Sequence, residues 1–356
     1  MEKVSRRQAI LIGSSYMFIV TIINLPAQVA QVDKQGAWYD IPTAAAAAAL
    51  SLCLIWAVMR RFPDQDYLAV LVNHLKLAGR MLVLLYMFFF FLISSRDLRL
   101  LVDIVSVSLL PQTPTLLIGS LVVFSGAMAV RAGIEVASRM AELFYPVLAY
   151  AVVFMLVCLT KDFHWDFLQP VFENGWQGWL RGSWVLFGYL GEVIVLPLIF
   201  TDRTFDLKRG LVALGIGTLM LELSFVGTTL VLGSEITARL MYPVYEQVRQ
   251  IIITDFLDRF DLFIISLWMP MMFLKIAFDL YVVCHAGETL FHRVAPGRHL
   301  TFPVGLLTVA SSMWLFRRSV DVIRLNWNWT VFTLVFALVI PACSLVLLLF
   351  RRAPAR

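Results

Sequence analysis

Apolar runs of bilayer-crossing length recur along this chain, and they leave few folds open to it. About 20 helical residues are needed to cross roughly 30 Å of hydrocarbon. Runs of that order fall at about 9–30, 41–59, 81–107, 115–130, 140–160, 183–200, 211–233, 262–291, 301–316 and 330–350. In a bilayer every backbone N–H and C=O must be satisfied by the protein itself, so such segments form helices. Composition agrees: 60% of the 356 residues are hydrophobic and 15% are charged, too little charge to cover a soluble protein of this length. The run 9–30 is too long for a secretory leader and reads as the first span. Cys53, Cys158, Cys284 and Cys343 lie inside apolar runs without metal-ligand spacing and read as small buried hydrophobes. The expected fold is an all-α polytopic membrane protein with about ten transmembrane helices, a single integral domain over 1–356.

An even number of spans puts both termini on one side. Of the 29 Lys and Arg residues, 17 fall on that side: Lys3, Arg6, Arg7, Arg60, Arg61, Lys76, Arg80, Arg131, Arg139, Arg203, Lys208, Arg209, Arg293, Arg298, Arg351, Arg352 and Arg356. The opposite side has 9, and Arg96, Arg99 and Lys275 lie within spans. The positive-inside rule then makes both termini cytoplasmic. The basic balance, with a pI near 9.1, reports this topology and not a nucleic-acid partner.

Ten spans divide into five plus five, a first repeat at about 9–160 and a second at about 183–350. With an odd number of spans per repeat, the second half runs inverted relative to the first. Paired interrupted helices mark binding sites in transporters built this way, so spans 1 and 6 are the places to look. Span 1 contains "IINLP" (22–26) and span 6 contains "GYLGEVIVLP" (188–197). Pro26 and Pro197 each remove a backbone donor, while Gly188 and Gly191 permit non-helical dihedrals or let neighbouring helices approach. Thr21, Asn24, Phe187, Gly188, Tyr189, Gly191 and Glu192 are the candidate ligand-binding residues around the two interruptions.

Glu192 is expensive at bilayer depth, by about 2.5–3.5 kcal/mol on insertion scales. Lys275 has a similar depth in span 8, so the two are candidates to meet at the midplane. Asp279 one turn on and Glu222 in span 7 are rival partners for Lys275. In span 3, "RDLRLLVD" (96–103) places Arg96, Arg99 and Asp103 on one helical face, with Asp97 pointing elsewhere. That face forms an internal ion-pair network or holds a ligand carboxylate. "TAAAAAAL" (43–50) marks a face of close helix approach. "RAGIEVASRMAE" (131–142) reads as a solvated connection or docking surface. In "YPVYEQVRQIIITDFLDRFDLF" (242–263) apolar residues recur at helical spacing, as in an external amphipathic helix that either lies on the surface or closes a vestibule. Another external connection, 161–182, is rich in Trp and Gly. The histidines are dispersed, no metal site or cofactor is implied, and no catalytic or phosphate-binding motif occurs. An enzyme is not expected.

Several segments together resemble the permease-like B-subunit of bacterial spore germinant receptors, in the spore-germination permease family of the amino acid–polyamine–organocation transporter clan. They are "RRFPDQDYLAVL" (60–71), "LPQTPTLL" (110–117), "RAGIEVASRMAEL" (131–143), "LQPVFENG" (168–175), "GE" (191–192), "YPVYEQVRQI" (242–251), "DFLDRFDLF" (255–263) and "FLKI" (273–276). The resemblance implies a LeuT-like 5+5 inverted repeat with interrupted helices 1 and 6, located in the spore inner membrane. It also implies action with an A-type membrane subunit and a C-type lipoprotein to sense a small nutrient such as an amino acid. Two departures stand out. The family often has glycines before the "LP" of span 1, where this chain has Val20, Thr21, Ile22 and Ile23, and the last two spans carry little family signal. A free-standing amino acid transporter, proton-coupled through Glu192, is the alternative, and an ion or water conduit is compatible with the receptor.

Overall fold

The computed structural model describes residues 4–201, 204–251, 260–291 and 299–349. Among the described residues every long element is a helix. Helix starts follow local chemistry. Ser5 and Gln8 form a reciprocal capping box at α1 (Arg6–Asn24). Asp66 caps α4 (Tyr67–Ser108) through the Ala69 N–H, and Asp206 caps α9 (Leu207–Thr237) through the Arg209 N–H. Pro26 cannot continue the α1 hydrogen-bond ladder, and α2 (Pro26–Asp33) departs at 65° from it. The first span is therefore a broken one.

The second interrupted span is α7 (Gly175–Leu190), a tight 3₁₀ turn over Gly191–Ile194, and α8 (Val195–Ile199). Its most apolar window is 94% buried, against 33–56% for the other long spans, so it runs through the centre of the bundle. Around it stand α3 (Ala37–Met59), α4, α5 (Thr115–Ala132), α6 (Ile134–Cys158), α9, α11 (Phe260–Leu290), α12 (Thr301–Leu315), α13 (Ser319–Leu334) and α14 (Ile340–Leu349). Among the described residues eight helices are long and apolar enough to cross a membrane, and the bent α1–α2 pair makes nine. The fifteen residues of α12 account for the remaining expected run.

Several connections differ from expectation. The stretch 131–142 is not a solvated loop. A single glycine in the left-handed region, Gly133 (φ 105°), turns the chain, and α6 begins at Ile134 with Ile134, Ala137, Ser138 and Ala141 buried. Only the opposite face of that turn, where Glu135 pairs with Arg139 at 3.9 Å, faces outward. The loop expected over 161–182 is shortened by the start of α7 at Gly175. Of the amphipathic stretch 242–263, α10 (Pro243–Arg249) takes seven residues and buries Pro243, Val244, Gln247 and Val248; residues 252–259 lie outside the described residues. The alanines of 43–50 lie on α3, which packs against both α7 and α9, and Ala44 and Ala48 are buried there. Helix α4 begins before its span, turning at Lys76 (φ 53°). Between α13 and α14 the helix widens to a π turn over Val335–Val339, and the Tyr86 hydroxyl on α4 donates to the Phe336 carbonyl at 2.6 Å.

Candidate functional site

The 3₁₀ turn carries Glu192 into the middle of the bundle, where it meets both cations available there. Arg96 Nη1 on α4 lies 2.8 Å from Glu192 Oε1, and Lys275 Nζ on α11 lies 3.1 Å from Oε2. The indole Nε1 of Trp329 on α13 donates to Oε1 at 3.2 Å. Asp97 is the counterpart of Glu192: its Oδ1 takes Arg96 at 2.7 Å and its Oδ2 takes Lys275. The four groups close a ring of two cations and two carboxylates, all essentially without solvent exposure. Aromatic faces complete the casing. The Arg96 guanidinium stacks between Tyr189 and Trp329 at 4.3 and 4.4 Å from the ring centroids, and Lys275 stands 4.0 Å above Tyr16 of α1. In low-dielectric surroundings such charges persist only when each is paired and hydrogen-bonded.

A fifth ionisable group adjoins the ring. Asp279, one turn beyond Lys275, accepts from the Tyr16 hydroxyl through Oδ1, while Oδ2 has no hydrogen-bond partner among the described residues. The cluster thus has three carboxyl groups for two cations. Tyr189 donates its hydroxyl to Asn326 Oδ1 at 2.6 Å, which ties the end of α7, just before the turn, to α13.

The remaining sequence-selected residues divide clearly. Arg96, Tyr189, Glu192, Lys275 and Asp279 come together. Arg99 and Asp103 pair with each other at 2.9 Å, and Arg99 reaches the Arg317 carbonyl at 3.0 Å, so they tie α4 to the end of α12, away from the ring. Asp97 corrects the expectation that it points elsewhere: the long, forked Arg96 side chain bends back onto its neighbour, so both face the centre. Glu222 is not in the cluster; it lines a groove between α3 and α9. Thr21 is buried and donates to the Met17 carbonyl of its own helix. The side chain of Asn24 lies outside the described residues.

The glycines act by size, not by backbone freedom. Gly191 has helical dihedrals (φ −64°, ψ −17°). A Cβ at Gly188 would stand 2.7 Å from Thr330 Oγ1, and one at Gly191 would stand 2.5 Å from Thr333 Cγ2 and press on Phe187. The Thr333 hydroxyl donates to the Gly188 carbonyl at 2.8 Å. Here the interruption is met by close approach of α13. Beside the break of α1, Phe18, Ile22, Ile23, Leu148, Val248 and Trp268 line a small apolar cavity of about 40 Å³, and Trp268 Nε1 donates to the Ile19 carbonyl at 2.8 Å.

Comparison with known proteins gives this geometry a context. The sequence profile of a family described as "Spore germination protein" matches residues 3–320. A putative spore germination protein of Bacillus subtilis, YfkT, is 31% identical over 341 residues, covering 96% of this chain and 95% of its own. Spore germination protein KB of the same organism is 31% identical over 231 residues, covering 62% and 61% of the two chains. Among solved structures, Mhp1, a nucleobase-cation-symport-1 transporter, superposes with TM-score 0.70 at 14% identity, covering 98% of this chain and 78% of its own. A Na⁺-coupled sialic acid symporter superposes with TM-score 0.67 at 11% identity, covering 95% and 79%. These neighbours fix the fold as LeuT-like. Trp329 and Asn326 lie past the last residue that the family profile matches.

Proposed function

The chain belongs to the spore germination protein family, and from that premise we propose that it is the permease-like subunit of a nutrient germinant receptor. In this reading it binds a small germinant, an amino acid or similar, and signals through an A-type membrane subunit and a C-type lipoprotein. It is a multi-pass membrane protein, with both termini cytoplasmic on the strength of the basic-residue asymmetry. No catalytic chemistry is required of it. The two inverted five-span repeats supply the two broken helices.

The observation that carries the reading is the closed ring of Arg96, Asp97, Glu192 and Lys275 at the second helix break. Four buried charges from three segments hold α4, the turn and α11 together. A zwitterion carries both complements, a carboxylate for Arg96 or Lys275 and an ammonium for Glu192, Asp97 or Asp279. Such a ligand can replace an internal pair without leaving a buried charge unmatched, and a neutral apolar solute cannot. Exchange of internal for ligand pairs loosens one helix against another, and that displacement is the signal passed to partner subunits.

A second reading, a free-standing proton-coupled amino acid transporter, is favoured by one feature. The excess carboxyl group, Asp279, needs a proton or an arriving cation to balance the cluster. One experiment separates the two. Deletion of the gene, followed by a nutrient screen of the spores, should remove germination by one nutrient class while purified protein in vesicles accumulates nothing. Solute uptake by the protein alone, with germination unchanged in the deletion strain, would replace the receptor with the transporter.

A further inference from the structure

One mid-depth carboxylate has no role in the central ring. Glu222 lies fifteen residues beyond the start of α9, about 22 Å along the helix, and its Oε2 has no hydrogen-bond partner among the described residues. It lines a groove of about 600 Å³ between α3 and α9, where small groups (Ala45, Ala46, Ala49, Gly215 and Thr218) stand among Leu211, Leu214 and Leu219. The groove opens to the outside of the bundle, and a Cβ placed on Gly215 would meet nothing within 4 Å. Leu219 of its lining is exposed, as is Leu50 on α3.

Small residues let another helix bring its backbone close, and in a membrane that close packing, with interhelical hydrogen bonds, drives association. A carboxylate at this depth almost always faces a polar or charged partner. Lipid tails fill a groove but offer no donor at the midplane. A second copy seated by a two-fold axis through the groove would set the two Glu222 side chains against each other, whereas a helix of a different chain can set a basic or donor group against Glu222. We propose that the α3–α9 groove seats a transmembrane helix of a partner subunit. That helix lays a small-residue face along Ala46 and Gly215 and presents Lys, Arg or another donor to Glu222. The inference rests on the receptor reading and locates its contact surface.

The test uses the full-length chain in native membranes, with a photo-crosslinking residue at Ala46 and a control at Leu117, an exposed position on α5. The Ala46 probe should form adducts with a transmembrane peptide of a different chain that has a basic or donor residue, and the Leu117 probe should not. Gly215→Leu and Glu222→Leu should each lower copurification of that subunit by roughly tenfold, about 1.4 kcal/mol, and Glu222→Gln by less. Because Gly215→Leu grows into open space, its abundance and thermal unfolding should match the wild type. Adducts with lipid alone or with a second copy, or undiminished copurification in both leucine variants, overturn the groove assignment while leaving the receptor reading in place. A wild-type protein that copurifies no partner and accumulates solute in vesicles overturns both.

Discussion

Glu192 and Asp40 are both buried carboxylates on helices of the same bundle, yet their surroundings have almost nothing in common. Glu192 meets Arg96, Lys275 and the Trp329 indole. Asp40, at the start of α3, accepts one hydrogen bond from Ser183 Oγ at 3.3 Å, and its Oδ2 has no partner among the described residues. Asp33 at the end of α2 resembles Asp40, lying against the Tyr39 hydroxyl. Among the described residues no ion pair reaches either of these aspartates. Instead they lodge where α7 has no side chain: a Cβ at Gly178 would overlap the Asp33 carboxylate, and one at Gly182 would overlap that of Asp40. In the centre a carboxylate holds by charge, and here it holds by shape. The same residue type should therefore respond in opposite ways to neutralisation and to crowding.

The largest effect belongs to the ring. Glu192→Ala or Lys275→Ala leaves a buried charge unmatched, at about 3–5 kcal/mol. Each should abolish the nutrient response or sharply lower protein abundance in spore membranes; full response at normal abundance in both variants would remove the ring from the mechanism. The exchanged pair Glu192→Lys with Lys275→Glu should not recover function. Lys at 192 would face Arg96, and Glu at 275 would face Asp97. Recovery in that double variant would mean that the second contacts of the ring carry no weight.

Next comes crowding of the shape-held acids. Gly182→Ala drives a methyl group into Asp40 and should cost about 1–3 kcal/mol, in the range of overpacking, read as a lower unfolding temperature in detergent. Adding Asp40→Ala should restore much of the loss. Additive effects would show that the glycine and the aspartate do not bear on each other. Neutralisation without change of shape is a smaller perturbation. Asp40→Asn should shift stability by about 1 kcal/mol or less, whereas Glu192→Gln at the centre should impair signalling. Equal effects of the two would erase the contrast.

The smallest effect is outside the spans, where Lys34 binds Glu173. Hydrogen bonds from Lys34 and Gln35 hold the Glu173 carboxyl below its ordinary value of 4.5. A depressed carboxyl contributes stability above its unfolded pKa and loses it as pH falls through the folded one. Glu173→Gln should therefore unfold slightly earlier than the wild type at neutral pH, and the gap should close in acid below the ordinary carboxylate range. High salt should narrow it as well. A gap that widens on acidification would contradict the pairing.

The ten apolar runs were legible because hydrocarbon imposes a length and a composition on whatever crosses it, and the two interrupted spans were legible from Pro26, Pro197 and the glycines. The gathering of Glu192 and Lys275 could be anticipated because two opposite charges at equal depth have few other places to go. Asp97 was missed because helical periodicity gives the direction of a Cβ, while a long arginine can fold back across it. Trp329 and Asn326 carried a weak signal, polar groups in "LNWNWT" (325–330) just ahead of the apolar run expected at 330–350, and which neighbour they meet depends on how α13 docks. Glu222 was read as a rival for Lys275 because sequence gives depth and not azimuth; the bundle turns it outward.

The π turn between α13 and α14 has a consequence for insertions and deletions in the last span. Each residue of an α-helix advances the side chain direction by about 100°, and a π turn absorbs one additional residue without lengthening the helix to match. Above it, Asn326 and Trp329 aim at the central cluster; below it, Ser344 shares a hydrogen bond with Tyr67 at 2.8 Å. The widened turn sets the phase between these two ends. A chain one residue shorter within Val335–Val339 would straighten the helix and turn one end out of register, so at this position length is held as tightly as the identity of the residues that use it.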